Sequence, residues 1–111
     1  HADQGALVAT RVAKRLGLNA AEVEMCAWLV RHHLLFTHTA FKRDATDPQT
    51  VRDFVDVVQG IERLRLLLVM TVADVRAVGP GIWNAWKATL LRSLFRKAEA
   101  YIRTGQLGEE A

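Results

Sequence analysis

Residues 61–77 read IERLRLLLVMTVADVRA, and the stretch from Leu66 to Ala73 carries no charge, glycine or proline. Seventeen residues exceed a typical strand, and the spacing predicts a helix that is apolar nearly all round in its middle. Such a helix belongs at the centre of a bundle. It follows Gly60 and is broken by GPG at 79–81, so its partners must come from the flanking segments. None of these shows the period-two alternation of a half-buried strand.

The flanks read as helices too. Residues 2–16 place Leu7, Val8, Val12 and Leu16 at helical spacing and stop at Gly17, a C-terminal signal. NAAE at 19–22 is a capping box. It opens a helix carrying Val23, Trp28, Leu29 and Leu34 to about Phe36. THTAFKRDAT at 37–46 is polar and mixed and reads as a loop. Asp47-Pro48 is a helix start, N-cap followed by first-turn proline, and that helix stops near Gly60. The last helix runs from about Ile82 to Thr104, with Trp83 and Trp86 as apolar anchors at its start. The expected fold is all-α, a five-helix bundle over 1–104 with a frayed tail at 105–111.

The chain has 111 residues, half of them apolar, close to the size of one domain. A domain of that size buries roughly two-thirds of the surface its unfolded chain exposes. Cys26 is the sole cysteine, so no internal disulfide forms. It reads as a small buried apolar residue, and a lone thiol fits a reducing, cytoplasmic compartment. A net charge of +3 without a clustered aromatic-basic patch gives no support for nucleic-acid binding. No apolar run approaches the ~20 residues of a membrane span, and no signal peptide is visible. The chain begins with His rather than Met, which reads as a processed or excised piece.

Two features could carry chemistry. At about 100° per residue, Asp74 shares a sector with Leu67 and Met70, so it is expected to point inward. A buried carboxylate needs a partner: a basic side chain, a hydrogen-bond network or a metal ion. By the same construction His33 points slightly further inward than its neighbour His32. A histidine near an apolar face is more often a hydrogen-bonded boundary residue than a ligand, and no single spacing here marks a metal site. His38 lies in the polar stretch and reads as solvated. A mixed imidazole and carboxylate set suits a divalent metal used for hydrolysis. No HExxH, phosphate-binding loop, nucleophile elbow or CxxC is present, and nothing marks the single serine, Ser93, as a nucleophile. On the last helix Lys87, Arg92, Arg96, Lys97 and Arg103 form a basic edge, a solvated face or a docking surface for a protein.

HADQGA, AWLVRHHLL, TAFKRDATDP, RLRLLLVMTVADVRA and GIWNAWKATLLRSLF, in this order, resemble the HD-type phosphohydrolase domain of the bacterial bifunctional uridylyltransferase/uridylyl-removing enzymes. The resemblance runs from His1 to about Ile102. It implies a partial HD domain from an enzyme that attaches UMP to the PII nitrogen-signalling protein and removes it by metal-dependent hydrolysis, with glutamine sensed by other domains. It implies Mg or Mn as cofactor, uridylylated PII as partner and UMP as product, with no membrane or nucleic acid. It also implies metal- or phosphate-contacting roles for Asp74, His33 and His1, which match the family's Thr-Val-Ala-Asp, Arg-x-His-Leu-Leu and His-x-x-x-Gly phrases. Lys87, Asn84 and Arg43 are candidate phosphate or partner contacts. The family's first His and its His-Asp doublet would precede residue 1, so the isolated chain is expected to be inactive. The alternatives are a non-catalytic helical module and an HD phosphohydrolase acting on a free nucleotide.

Overall fold

The structure is a computed structural model, and it describes residues 2–78 and 84–105. These form six helices and no strand: α1 (Ala2–Arg15), α2 (Ala20–Arg31), α3 (Leu35–Lys42), α4 (Pro48–Val58), α5 (Ile61–Val78) and α6 (Ala85–Thr104). The all-α expectation holds. Five of the helices lie where the sequence places them. The sixth, α3, begins at Leu35, within the last residues read as the second helix, and runs into the stretch that reads as a loop. The chain divides into two compact units, His1–His33 and Leu34–Ala111.

The first unit is the α1–α2 hairpin. α1 ends in a Schellman motif: Leu18 N–H donates to the Ala13 carbonyl and Gly17 N–H to that of Lys14, both at 3.1 Å. Gly17 supplies the left-handed φ of +85° that this stop requires. α2 opens on the expected capping box, with Asn19 Oδ1 accepting from the Glu22 amide and Glu22 Oε1 accepting from the Asn19 amide, both at 2.9 Å. The side of α1 that is buried differs from the sequence reading. Ala6 and Ala13 are buried, whereas Leu7, Val8, Val12 and Leu16 are all exposed. Small residues win because the two helices approach closely: a Cβ on Gly5 would lie 3.0 Å from Val30 Cγ1. Arg31 closes the hairpin with an ion pair to Asp3 at 3.0 Å, exposed and therefore worth about 1 kcal/mol or less. Cys26 is half-buried, less enclosed than expected.

The second unit holds α3 to α6. α3 and α6 each pack against the other three helices, so the helix hidden in the polar stretch sits at the centre. Phe36, Thr39 and Ala40 recur at i, i+3 and i+4 and are all buried. The threonine disguises an apolar stripe. Around them lie Val51, Phe54 and Val58 of α4, Leu64 and Leu67 of α5, and Leu91, Leu94 and Ala98 of α6.

α5 is not buried all round. Leu64, Leu67, Thr71 and Val75 form its covered stripe, while Val69 is 67% exposed and Leu66 is exposed as well. Thr71 tolerates burial because its hydroxyl donates to the Leu67 carbonyl at 2.6 Å. α4 begins as expected, with Asp47 as N-cap and Pro48 in the first turn. It ends one residue early, on Gln59 at φ +72°, rather than on the glycine beside it. α6 starts at Ala85 with Asn84 as N-cap. Trp86, expected as an anchor, is 68% exposed. Trp83, the GPG break, His1 and the tail beyond Gly105 lie outside the described residues. Among the described residues no helix is long and apolar enough to cross a membrane.

Candidate functional site

Asp74 lies in the last turn but one of α5 and is exposed, which corrects the inward reading. Its angular position was right, within about 20° of the fully buried Leu67. Two turns separate them along the axis, and at the height of Asp74 that sector is uncovered. A helical wheel fixes an angle, not what stands opposite it.

The paired histidines do not sit on a continuous helix. α2 ends at Arg31, and His32 to Leu34 form a turn before α3. The His32 amide still donates to the Trp28 carbonyl at 3.0 Å, but that of His33 reaches only three residues back, to Val30 at 3.4 Å. Both side chains are half-buried, so burial does not separate them. Their surroundings do. His32 leans on the Trp28 ring, with centroids 4.9 Å apart. His33 places Nδ1 2.6 Å from the Val30 carbonyl oxygen. A carbonyl only accepts, so Nδ1 carries the hydrogen, and in the neutral ring the lone pair is on Nε2. That is how a ligating histidine is usually prepared: a backbone oxygen holds one nitrogen and orients the other. His38, expected in a loop, is exposed on α3.

The three candidate phosphate contacts are already engaged. Asn84 Oδ1 accepts from the Lys87 amide at 2.8 Å, so its oxygen caps α6. The Lys87 ammonium lies over the Phe41 ring, 5.5 Å from its centroid, a cation–π contact. Arg43 pairs with Asp53 at 3.0 Å. Asp53 also accepts from the Gln49 amide group at 2.8 Å. The Gln49 hydrogen bond, then the Arg43 guanidinium, hold its carboxyl below the usual range. The pairing joins the end of α3 to the first turns of α4. The pairing was not legible in the sequence because its partners are ten residues apart across a turn.

Among the described residues no group of three or more His, Cys, Asp and Glu side chains could hold a metal ion. Asp74 and His33 belong to different compact units, and His1 lies outside the described residues. The described residues therefore do not by themselves form a metal centre. What they offer is one solvent-facing carboxylate and one imidazole with a fixed tautomer.

No family model matches this chain, and no solved structure does. It is 58% identical over 105 residues to the bifunctional uridylyltransferase/uridylyl-removing enzyme of Novosphingobium aromaticivorans, covering 95% of this chain and 12% of that protein. Its identity to the enzyme of the same name from Azospirillum brasilense is 60% over 105 residues, 95% of this chain and 11% of the relative. For that of Zymomonas mobilis it is 50% over 111 residues, all of this chain and 12% of the relative. The chain spans about 12% of the length of the curated relatives it matches, and over nearly its whole length it is similar to that one segment of them.

Proposed function

We propose that this chain is part of an HD-type, uridylyl-removing hydrolase domain, residues 1–104, within a longer enzyme that uridylylates and deuridylylates PII. The observation that carries the reading is the similarity, at 58% and 60% identity over 95% of the chain, to one segment of enzymes named for uridylyl transfer and removal. In this reading uridylylated PII is the substrate, water cleaves the phosphodiester, and UMP leaves. Glutamine is sensed elsewhere in the longer protein, which works in the cytoplasm. Asp74, His33 and His1 are this chain's contribution to a site for Mg or Mn, whose further donors the longer protein supplies. The His33 Nδ1 bond to Val30 supports the assignment, because it leaves the Nε2 lone pair as the one that can ligate.

The test uses the full-length enzyme. Asp74→Ala should abolish UMP release from uridylylated PII while leaving UMP attachment intact. Undiminished release would overturn the assignment. Offering free uridine nucleotides beside uridylylated PII separates this reading from a nucleotide phosphohydrolase. Calorimetric uptake of Mn²⁺ that depends on Asp74 separates it from a non-catalytic helical module.

A further inference from the structure

The outer face of α6 carries a hollow of about 260 Å³ lined by Thr89, Arg92, Ser93, Arg96 and Lys97. Its charge is one-sided. Among the described residues no carboxylate pairs with Arg92 or Arg96, whereas Arg31, Arg43 and Arg103 each have one, at 3.0, 3.0 and 3.3 Å. Arg92 and Arg96 stand one turn apart, where like charges destabilise a helix slightly. Lys97 is held in place on the far wall: its Nζ donates to the Ala45 carbonyl at 3.2 Å. The acidic group facing Lys97 is Asp44, whose Oδ1 accepts from both the hydroxyl and the amide of Thr46.

We propose that this hollow binds a phosphate-type oxyanion, gripped by the Arg92 and Arg96 guanidiniums. The donor inventory selects the ligand. The Thr89 hydroxyl already donates to the Ala85 carbonyl at 2.9 Å, but two planar forks, an ammonium and the Ser93 hydroxyl still offer more N–H and O–H groups than one carboxylate can accept. A phosphate, with three terminal oxygens and up to two charges, accommodates them. An acidic peptide is therefore the poorer match. Arg92 also borders an apolar groove of about 190 Å³ lined by Leu68, Val72, Leu91 and Phe95, so whatever carries the oxyanion meets apolar surface on that side. The proposal does not rest on the hydrolase reading, because none of these residues is a candidate metal ligand.

The test is a titration of the full chain with inorganic phosphate, UMP and uridine at low ionic strength, followed by NMR of the arginine side chains and the α6 amides. Phosphate and UMP should saturate, with the largest shifts at Arg92, Ser93 and Arg96. The double variant R92Q/R96Q should weaken both by about tenfold or more. R103Q, which removes an arginine already paired with Glu99, should change them less than about twofold. Both arginines are exposed, so the variant should fold, and an unchanged circular dichroism spectrum checks this. UMP binding tighter than phosphate identifies a nucleotide as the source; equal affinities identify the bare anion. The proposal is overturned by the absence of saturable phosphate binding, by equal losses in R103Q, by uridine binding as tightly as UMP, or by a short polyglutamate binding tighter than phosphate.

Discussion

Phe36 of α3 and Phe54 of α4 meet edge to face, with ring centroids 5.0 Å apart and planes inclined by 66°. Both are fully buried. This geometry sets the positive edge of one ring against the negative face of the other. It anchors a helix of only eight residues, too short to be stable on its own in water and without a side-chain cap at its N-terminus. Packing therefore decides whether α3 exists. Phe54→Ala should cost about 3–5 kcal/mol and take α3 with it. Urea denaturation gives the magnitude, and amide exchange from Phe36 to Lys42 reports the helix. A loss below about 1 kcal/mol would contradict the packing described here.

Asn84 separates a structural role from a chemical one. Its side-chain oxygen caps α6, so Asn84→Ala should cost about 1 kcal/mol of stability, and Asn84→Asp should restore most of it. Under the proposed function, UMP release by the longer protein should track stability. Lost activity in a fully stable Asn84→Asp protein would mean that the amide touches substrate after all.

Asp74→Ala tests exposure directly. An exposed carboxylate contributes little to folding, so the change should move stability by no more than about 0.5 kcal/mol. A thermal melt of the chain checks this. A large loss would mean that Asp74 is covered and that the sequence's inward reading was right.

Gly5 lies where α1 comes closest to α2. Removing a helical glycine is worth about 1 kcal/mol, but the new Cβ meets Val30 Cγ1 at 3.0 Å. Gly5→Ala should come out near neutral, because the valine has only a few tenths of an ångström to yield. Gly5→Leu should wedge the hairpin apart at a cost of about 1–3 kcal/mol. Denaturation of the two variants side by side would show it, and equal stabilities would rule out close approach at this point.

Acid should weaken the α3–α4 junction. Asp53 is held low first by Gln49 and then by Arg43, and Asp44 first by the Thr46 hydroxyl and then by its amide. A carboxyl whose folded value lies below its unfolded one contributes its full stabilisation above the unfolded value, here 3.8. That contribution is lost as pH falls from there through the folded value. Stability should therefore drop below about pH 4, and Asp53→Asn should flatten the drop. An acid limb of the same steepness in Asp53→Asn would exclude this source. Both groups are exposed, so the effect is small and should shrink with added salt.

Helix ends and spacings were legible in the sequence because they are local. The Asn19–Glu22 capping box, the Asp47-Pro48 start and the Gly17 stop each need only neighbouring residues, and all three appear as read. Two of the candidate site residues, Asp74 and His33, were also visible in the sequence, as polar groups in apolar stretches. Their surroundings were not. Asp74 shares its sector with buried Leu67 yet is exposed. His33 owes its fixed tautomer to a turn at the end of α2 that no spacing announced.

The sequence by itself determined that the chain is helical and where most helices begin and end, because hydrogen bonds and caps within a helix span at most a few residues. Only the tertiary structure decided which side of each helix is covered. Alanines of α1 are buried while its valines and leucines are exposed, and α5 covers one stripe instead of its whole surface. α3 exists because Phe36, Thr39 and Ala40 find covering partners on three other helices. Burial depends on what stands across from a side chain, and in this chain the covering residues lie on other helices, beyond the reach of local spacing.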